Sequence, residues 1–98
     1  MASIYDACER LNKFANKRGP QGVARAMRMT GCKGIPTDAE HCVLHDYLSK
    51  KFPDVKELAI DGDEAVWQHV ERYRFGDALK EFTIKFDNNE FPELELKN

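Results

Sequence analysis

The sequence predicts an α+β fold: three N-terminal helices, a β-hairpin and a C-terminal helix in one compact domain spanning residues 1–98. Apolar residues recur at helical spacing through the first half, and the pattern shifts to short β-rich runs around Asp61-Gly62-Asp63. Ala78-Leu79-Lys80-Glu81 then restores a helix-forming composition. With 98 residues, 42% of them apolar and 33% charged, the chain suffices for one modest core and no second.

Ser3 and Asp6 have the spacing of a capping box, with Asp in place of Glu, ahead of a stripe of Ile4, Ala7, Cys8, Leu11, Phe14 and Ala15. Glu9, Arg10, Lys13 and Lys17 fall on the opposite face. Arg18-Gly19-Pro20 ends this helix and places proline at the start of a second, which runs to about Thr30. Val23, Ala24 and Met27 form its inner side, and Arg25 and Arg28 turn outward. Gly31, Gly34 and Pro36 mark an irregular connection. Thr37 with Glu40 forms a capping box for a third helix, whose stripe is Val43, Leu44, Tyr47 and Leu48. Lys50 and Lys51 suit its negative pole, and Phe52-Pro53 closes it.

Val55, Leu58 and Ile60, then Ala65, Val66 and Trp67, flank Asp61-Gly62-Asp63 as two strands joined by a turn. The segment 76–89 fits two periods, since Leu79, Phe82 and Phe86 share a helical face while Phe82, Ile84 and Phe86 also alternate. Helix is preferred, with Asp77 as N-cap and Asn88-Asn89 as a left-handed exit. A tail containing Phe91, Pro92 and Leu94 folds back on the core.

Gly31 and Gly34 with Cys42, Leu44, Tyr47 and Leu48 form one suggestive stretch, and Phe86-Asp87 followed by Phe91-Pro92-Glu93-Leu94 forms another. Together they resemble a group of small proteins of unknown function from actinobacteria and their phages. This chain has Val43-Leu44 where that group has proline and a small residue. The resemblance implies a compact α+β domain, an intracellular setting and a phage or prophage origin, and it lends no activity.

Charge is unevenly divided. Residues 1–34 carry seven Lys/Arg against two Asp/Glu, a net of +5, and residues 35–98 carry eight against fifteen, a net of −7, which sum to −2. No run of about 18 apolar residues is present to span a bilayer. The first residues lack the basic start and apolar stretch of a secretory signal, so a cytoplasmic location is expected. Cys8, Cys32 and Cys42 form an odd set consistent with free thiols, and Cys8 lies within a core stripe.

Cys32, His41, Cys42 and His45 are the one cluster of metal-binding residue types, but Cys-x8-His-Cys-x2-His lacks the closely paired ligands of the common zinc motifs. Cys42 and His45 could also form a thiol–imidazole pair, oriented by Asp38 or Asp46, with nothing further to support catalysis. No metal, cofactor or enzymatic role is expected. The favoured function is a non-enzymatic protein-binding module acting through opposed basic and acidic surfaces, on another protein or on a second copy. Trp67, Glu90, Phe91 and Glu93 are its candidate contacts, although Trp67 suits core or hairpin packing better than a binding surface, because this small core needs its area. The alternative is a nucleic-acid-binding module of winged-helix-like outline using Arg10, Lys13, Lys17, Arg25 and Arg28. Asp38 and Glu40 at the head of the presumed recognition helix oppose that alternative.

Overall fold

Ser3 caps the first helix as its spacing with Asp6 predicts: the Asp6 amide donates to Ser3 Oγ at 3.1 Å, and the Ser3 amide donates to Asp6 Oδ2 at 3.4 Å. The computed structural model describes residues 3–68 and 70–96. Its elements are α1 (Ile4–Met29), α2 (Val43–Lys51), β1 (Ala59–Asp61), β2 (Glu64–Trp67), β3 (Glu71–Arg74), α3 (Asp77–Asp87) and a 3-10 turn at Pro92–Leu94.

The first two expected helices are the two arms of α1. A straight helix of 26 residues would be about 39 Å long, yet the longest dimension of the molecule is 32 Å. The bend lies at Gly19, with φ 73° and ψ 176°, a conformation essentially reserved for glycine, and Pro20 follows with no amide hydrogen to lose. Arg10 and Leu11 consequently line the same hollow as Met27 and Thr30. At the far end Gly31 is left-handed, the Gly31 amide donates to the Arg28 carbonyl and the Cys32 amide to that of Met27, which closes α1 in a Schellman motif.

The expected capping box at Thr37 and Glu40 does not form. The Thr37 amide donates to Asp87 Oδ1 on α3 at 2.8 Å, the Ile60 amide takes the Ala39 carbonyl at 2.8 Å, and the Glu40 amide turns to Asp38 Oδ1 at 3.1 Å. These tertiary bonds hold 37–41 as a turn, with Thr37 itself at φ 63°, and α2 starts later with Cys42 as N-cap. Gly34 makes the crossing possible, because a Cβ there would overlap the backbone of Cys42 and Val43 and lie 2.7 Å from the His41 carbonyl oxygen.

The expected hairpin is part of a three-stranded antiparallel meander, β1-β2-β3. Asp61 pairs with Glu64 and Ala65 with Tyr73. The third strand is an addition to the expected layout: Glu71-Arg72-Tyr73-Arg74 has a single buried side chain, Tyr73, so its hydrophobic signal is weak. α3 begins one residue earlier in capping terms than expected, with Gly76 as N-cap and Asp77 in the first turn, and it exits through left-handed Asn89 at φ 65°. The Gly76 amide donates to Asn12 Oδ1 at 2.6 Å, which anchors the start of α3 to the first arm of α1.

Cys8, Leu11 and Ala15 from the first arm, Val23 and Met27 from the second, Leu44 and Leu48 from α2, and Leu79, Phe82 and Phe86 from α3 make one core. The sheet adds Ile60, Ala65, Trp67 and Tyr73. The tail folds back as expected: Phe91 stacks on Phe82 with centroids 5.4 Å apart, Leu94 is buried, and Gly34 and Glu95 form a parallel bridge.

Candidate protein-docking cleft

The two arms of α1 bury their core-facing sides and leave an open cleft between them on the solvent side. Its larger lobe, about 700 Å³, is lined by Phe14, Arg18, Gln21, Gly22, Arg25, Ala26, Met29 and Thr30. A smaller lobe of about 290 Å³ shares Phe14, Ala26 and Thr30 and adds Arg10, Leu11, Met27 and Tyr47. Phe14, Ala26 and Thr30 thus form the boundary that the two lobes share. Phe14 was expected inside the first helix's apolar stripe, but it is 38% exposed, and Met29 is 77% exposed. Single exposed apolar residues are ordinary, whereas two of them converging on one hollow make a surface that water covers poorly.

Gly22 shapes the floor. A Cβ at this position would collide with the Cβ of Arg18 one turn earlier and lie 3.9 Å from the Phe14 ring. Its absence keeps the space beside Phe14 open.

Every charged side chain lining the two lobes is an arginine: Arg10, Arg18 and Arg25. Among the described residues none of these three has a carboxylate within ion-pair distance. Arginine presents a planar fork of donors suited to carboxylate or phosphate. Lys13 and Lys17, also in the expected basic set, are exposed on the first arm but line neither lobe. Arg28 is already engaged, with Nη1 3.3 Å from Glu93 Oε1 of the tail. That pair joins a member of the basic set to a member of the acidic set, so at this point the two charged surfaces adjoin instead of facing opposite ways.

The other candidate contacts divide. Trp67 is 6% exposed and Phe91 3%, both within the core, so neither offers an apolar anchor to a partner. Glu90 is exposed and lies 3.5 Å from Lys85 Nζ, and Glu93 holds Arg28. The sequence missed Phe14 and Met29 as surface features. A signal existed for Met29, at the last position of the second arm where no core neighbour follows.

The cysteine and histidine set does not assemble a centre. Among the described residues no three His, Cys, Asp or Glu side chains converge as metal ligands. His41 precedes α2 instead of sharing it with His45, and its Nδ1 lies 3.0 Å from Asp38 Oδ2. Cys42 is buried at the N-cap, where burial above all pushes its thiol up to about 11. Thr30 Oγ1 lies 3.3 Å from Cys32 Sγ, also buried. Burial raises the Cys8 thiol to about 12. His45 is displaced the other way: burial lowers its pKa from 6.5, opposed by a hydrogen bond to the Leu58 backbone. A thiol raised in this way is held protonated at neutral pH, which is the reverse of nucleophile activation.

Compared with protein-family models, with curated proteins and with solved structures, the chain matches none. Among the described residues no helix is long and apolar enough to cross a membrane.

Proposed function

We propose that this chain is a non-enzymatic protein-binding module whose contact surface is the cleft between the arms of α1. The observation that carries the reading is the coincidence of an apolar floor at Phe14, Ala26 and Met29 with three arginines around it that have no carboxylate partner among the described residues. Each exposed arginine–carboxylate pair is worth only about 0.2–1 kcal/mol. Affinity therefore comes mainly from covering the apolar floor, and the arginines select and orient. In the acidic segment, residues 35–98, a hollow of about 590 Å³, lined by Glu40, His41, His45, Glu57 and Val66 among others, has no Phe, Tyr or Trp in its lining, and Trp67 and Phe91 are buried.

The second reading is nucleic-acid binding, favoured by Lys13 and Lys17 standing exposed beside Arg10 on the first arm, without an ion-pair partner among the described residues. It is weaker because Arg28 is held by Glu93, and because α2, the recognition helix of a winged-helix outline, buries Val43, Leu44 and Leu48. Two experiments separate the readings. Binding to duplex or single-stranded DNA or to RNA, titrated against salt, should be undetectable at moderate ionic strength. A steep salt-dependent affinity lost in Lys13→Glu/Lys17→Glu would favour nucleic acid. Capture of a protein partner from the organism that encodes the chain should be lost in Arg18→Glu/Arg25→Glu and retained in Lys13→Glu/Lys17→Glu. The opposite pattern removes the cleft.

A further inference from the structure

The docking reading leaves the partner's chemistry open, and the cleft constrains it. Both lobes are lined by arginines without any Asp or Glu, so a cationic partner meets repulsion and no compensating charge. The floor between the arginines is apolar, and the missing side chain at Gly22 leaves room beside the Phe14 ring. The larger lobe is an open groove of about 700 Å³, with room for a bulky side chain to lie against its floor. Arg18 and Arg25 line this lobe and Arg10 the smaller one, so the cations sit on both sides of Phe14.

We infer that the cleft takes an acidic peptide segment that inserts one bulky apolar side chain between the arms of α1. Carboxylates before and after that side chain pair with Arg10, Arg18 and Arg25. This inference rests on the docking reading and adds the class of its ligand. Phosphate-rich nucleic acid satisfies the arginines equally well, but it leaves the methionine floor uncovered, since Phe14 is the one aromatic ring of the larger lobe on which a base could stack. A second copy of this chain is the rival occupant, because its own acidic tail carries Leu96, 52% exposed, beside Glu95.

The test uses the full chain with methyl-labelled methionine, in which exposed Met29 reports on the cleft, and far-UV circular dichroism reports on the fold. Three short synthetic peptides serve as probes: one of Glu and Ser residues around a central Phe, the same peptide with Phe replaced by Ser, and the same peptide with Glu replaced by Lys. The expected result is a saturable shift of the Met29 methyl with the Glu/Phe peptide alone. Its affinity should fall by about tenfold or more in Arg18→Glu/Arg25→Glu, and the Lys/Phe peptide should regain binding to that charge-reversed variant. An unchanged circular dichroism spectrum and melting curve show that the variant is folded.

The proposal is overturned if Met29 is unmoved by the Glu/Phe peptide at millimolar concentration, or if the Glu/Ser or Lys/Phe peptide shifts it equally. A stronger shift with an oligonucleotide assigns the cleft to nucleic acid. A dimer in sedimentation that Arg18→Glu/Arg25→Glu dissolves assigns it to a second copy. Failure of the peptides alongside successful, cleft-dependent capture of a protein partner removes the acidic-segment occupant while the docking reading stands.

Discussion

Replacing Gly19 with alanine has opposite consequences for a straight and a bent α1, so the sign of the effect is diagnostic. In a straight helix the exchange would be favourable by about 1 kcal/mol, the difference in helix propensity. In the bent helix residue 19 holds φ 73° and ψ 176°, where a side-chain-bearing residue is strained by about 1–3 kcal/mol. A Cβ at Gly19 meets nothing within 4 Å, so no packing clash is added and the backbone conformation accounts for the whole effect. For a domain of this size a loss of about 2 kcal/mol lowers the melting temperature by about 8–16 °C. Thermal unfolding followed by circular dichroism measures it, with urea unfolding giving the free energy. A semisynthetic chain with D-alanine at the same position should recover most of the loss, because its preferred φ is positive. An unchanged or higher melting temperature for Gly19→Ala would refute the bend, and with it the cleft that the bend creates.

Three further outcomes follow from the geometry. Gly34→Ala should be more damaging than Gly19→Ala, because its Cβ runs into the backbone of Cys42 and Val43 and no side-chain rotation relieves the overlap; urea unfolding of the two variants ranks them. The thiols of Cys8 and Cys42, raised to about 12 and about 11, should react with a disulfide reagent near neutral pH far more slowly in the folded protein than in urea, and rapid native labelling of Cys42 would contradict its burial. Burial depresses the folded-state pKa of His45 below its ordinary 6.5, so the unfolded chain binds the extra proton first. His45's contribution to stability is full above pH about 6.5 and is lost as pH falls through its folded value; His45→Gln should flatten that part of the stability–pH curve relative to the native chain.

Where local patterns acted alone, the sequence was a good guide. Ser3 and Asp6 cap α1, Gly19-Pro20 breaks it, and the Leu79, Phe82, Phe86 stripe prevails over the competing alternation because α3 packs these residues against α1. Thr37 and Glu40 misled because the Thr37 amide is claimed across the fold by Asp87, a partner too distant in sequence for a capping pattern to register, and the Glu40 amide by Asp38 within the turn itself. β3 was missed because an edge strand with one buried residue has almost no hydrophobic signature, although Tyr73 and Phe75 alternate with Arg72 and Arg74. Charge reading singled out Arg10 and Arg25, but the apolar half of the cleft depends on how far the arms of α1 fold toward each other. Phe14 looks like a core residue until the bend leaves its ring partly outside.

The central claim is that another protein occupies the cleft of α1. A photo-crosslinking residue at Gln21, which lines the larger lobe, or at exposed Lys80 on α3 as the comparison, tests it in the living cells that encode the chain. Mass spectrometry of the adducts should find one protein joined through position 21, lost when Arg18 and Arg25 are reversed to Glu, and absent at position 80. Equal adducts at both positions, or none at position 21, would contradict it.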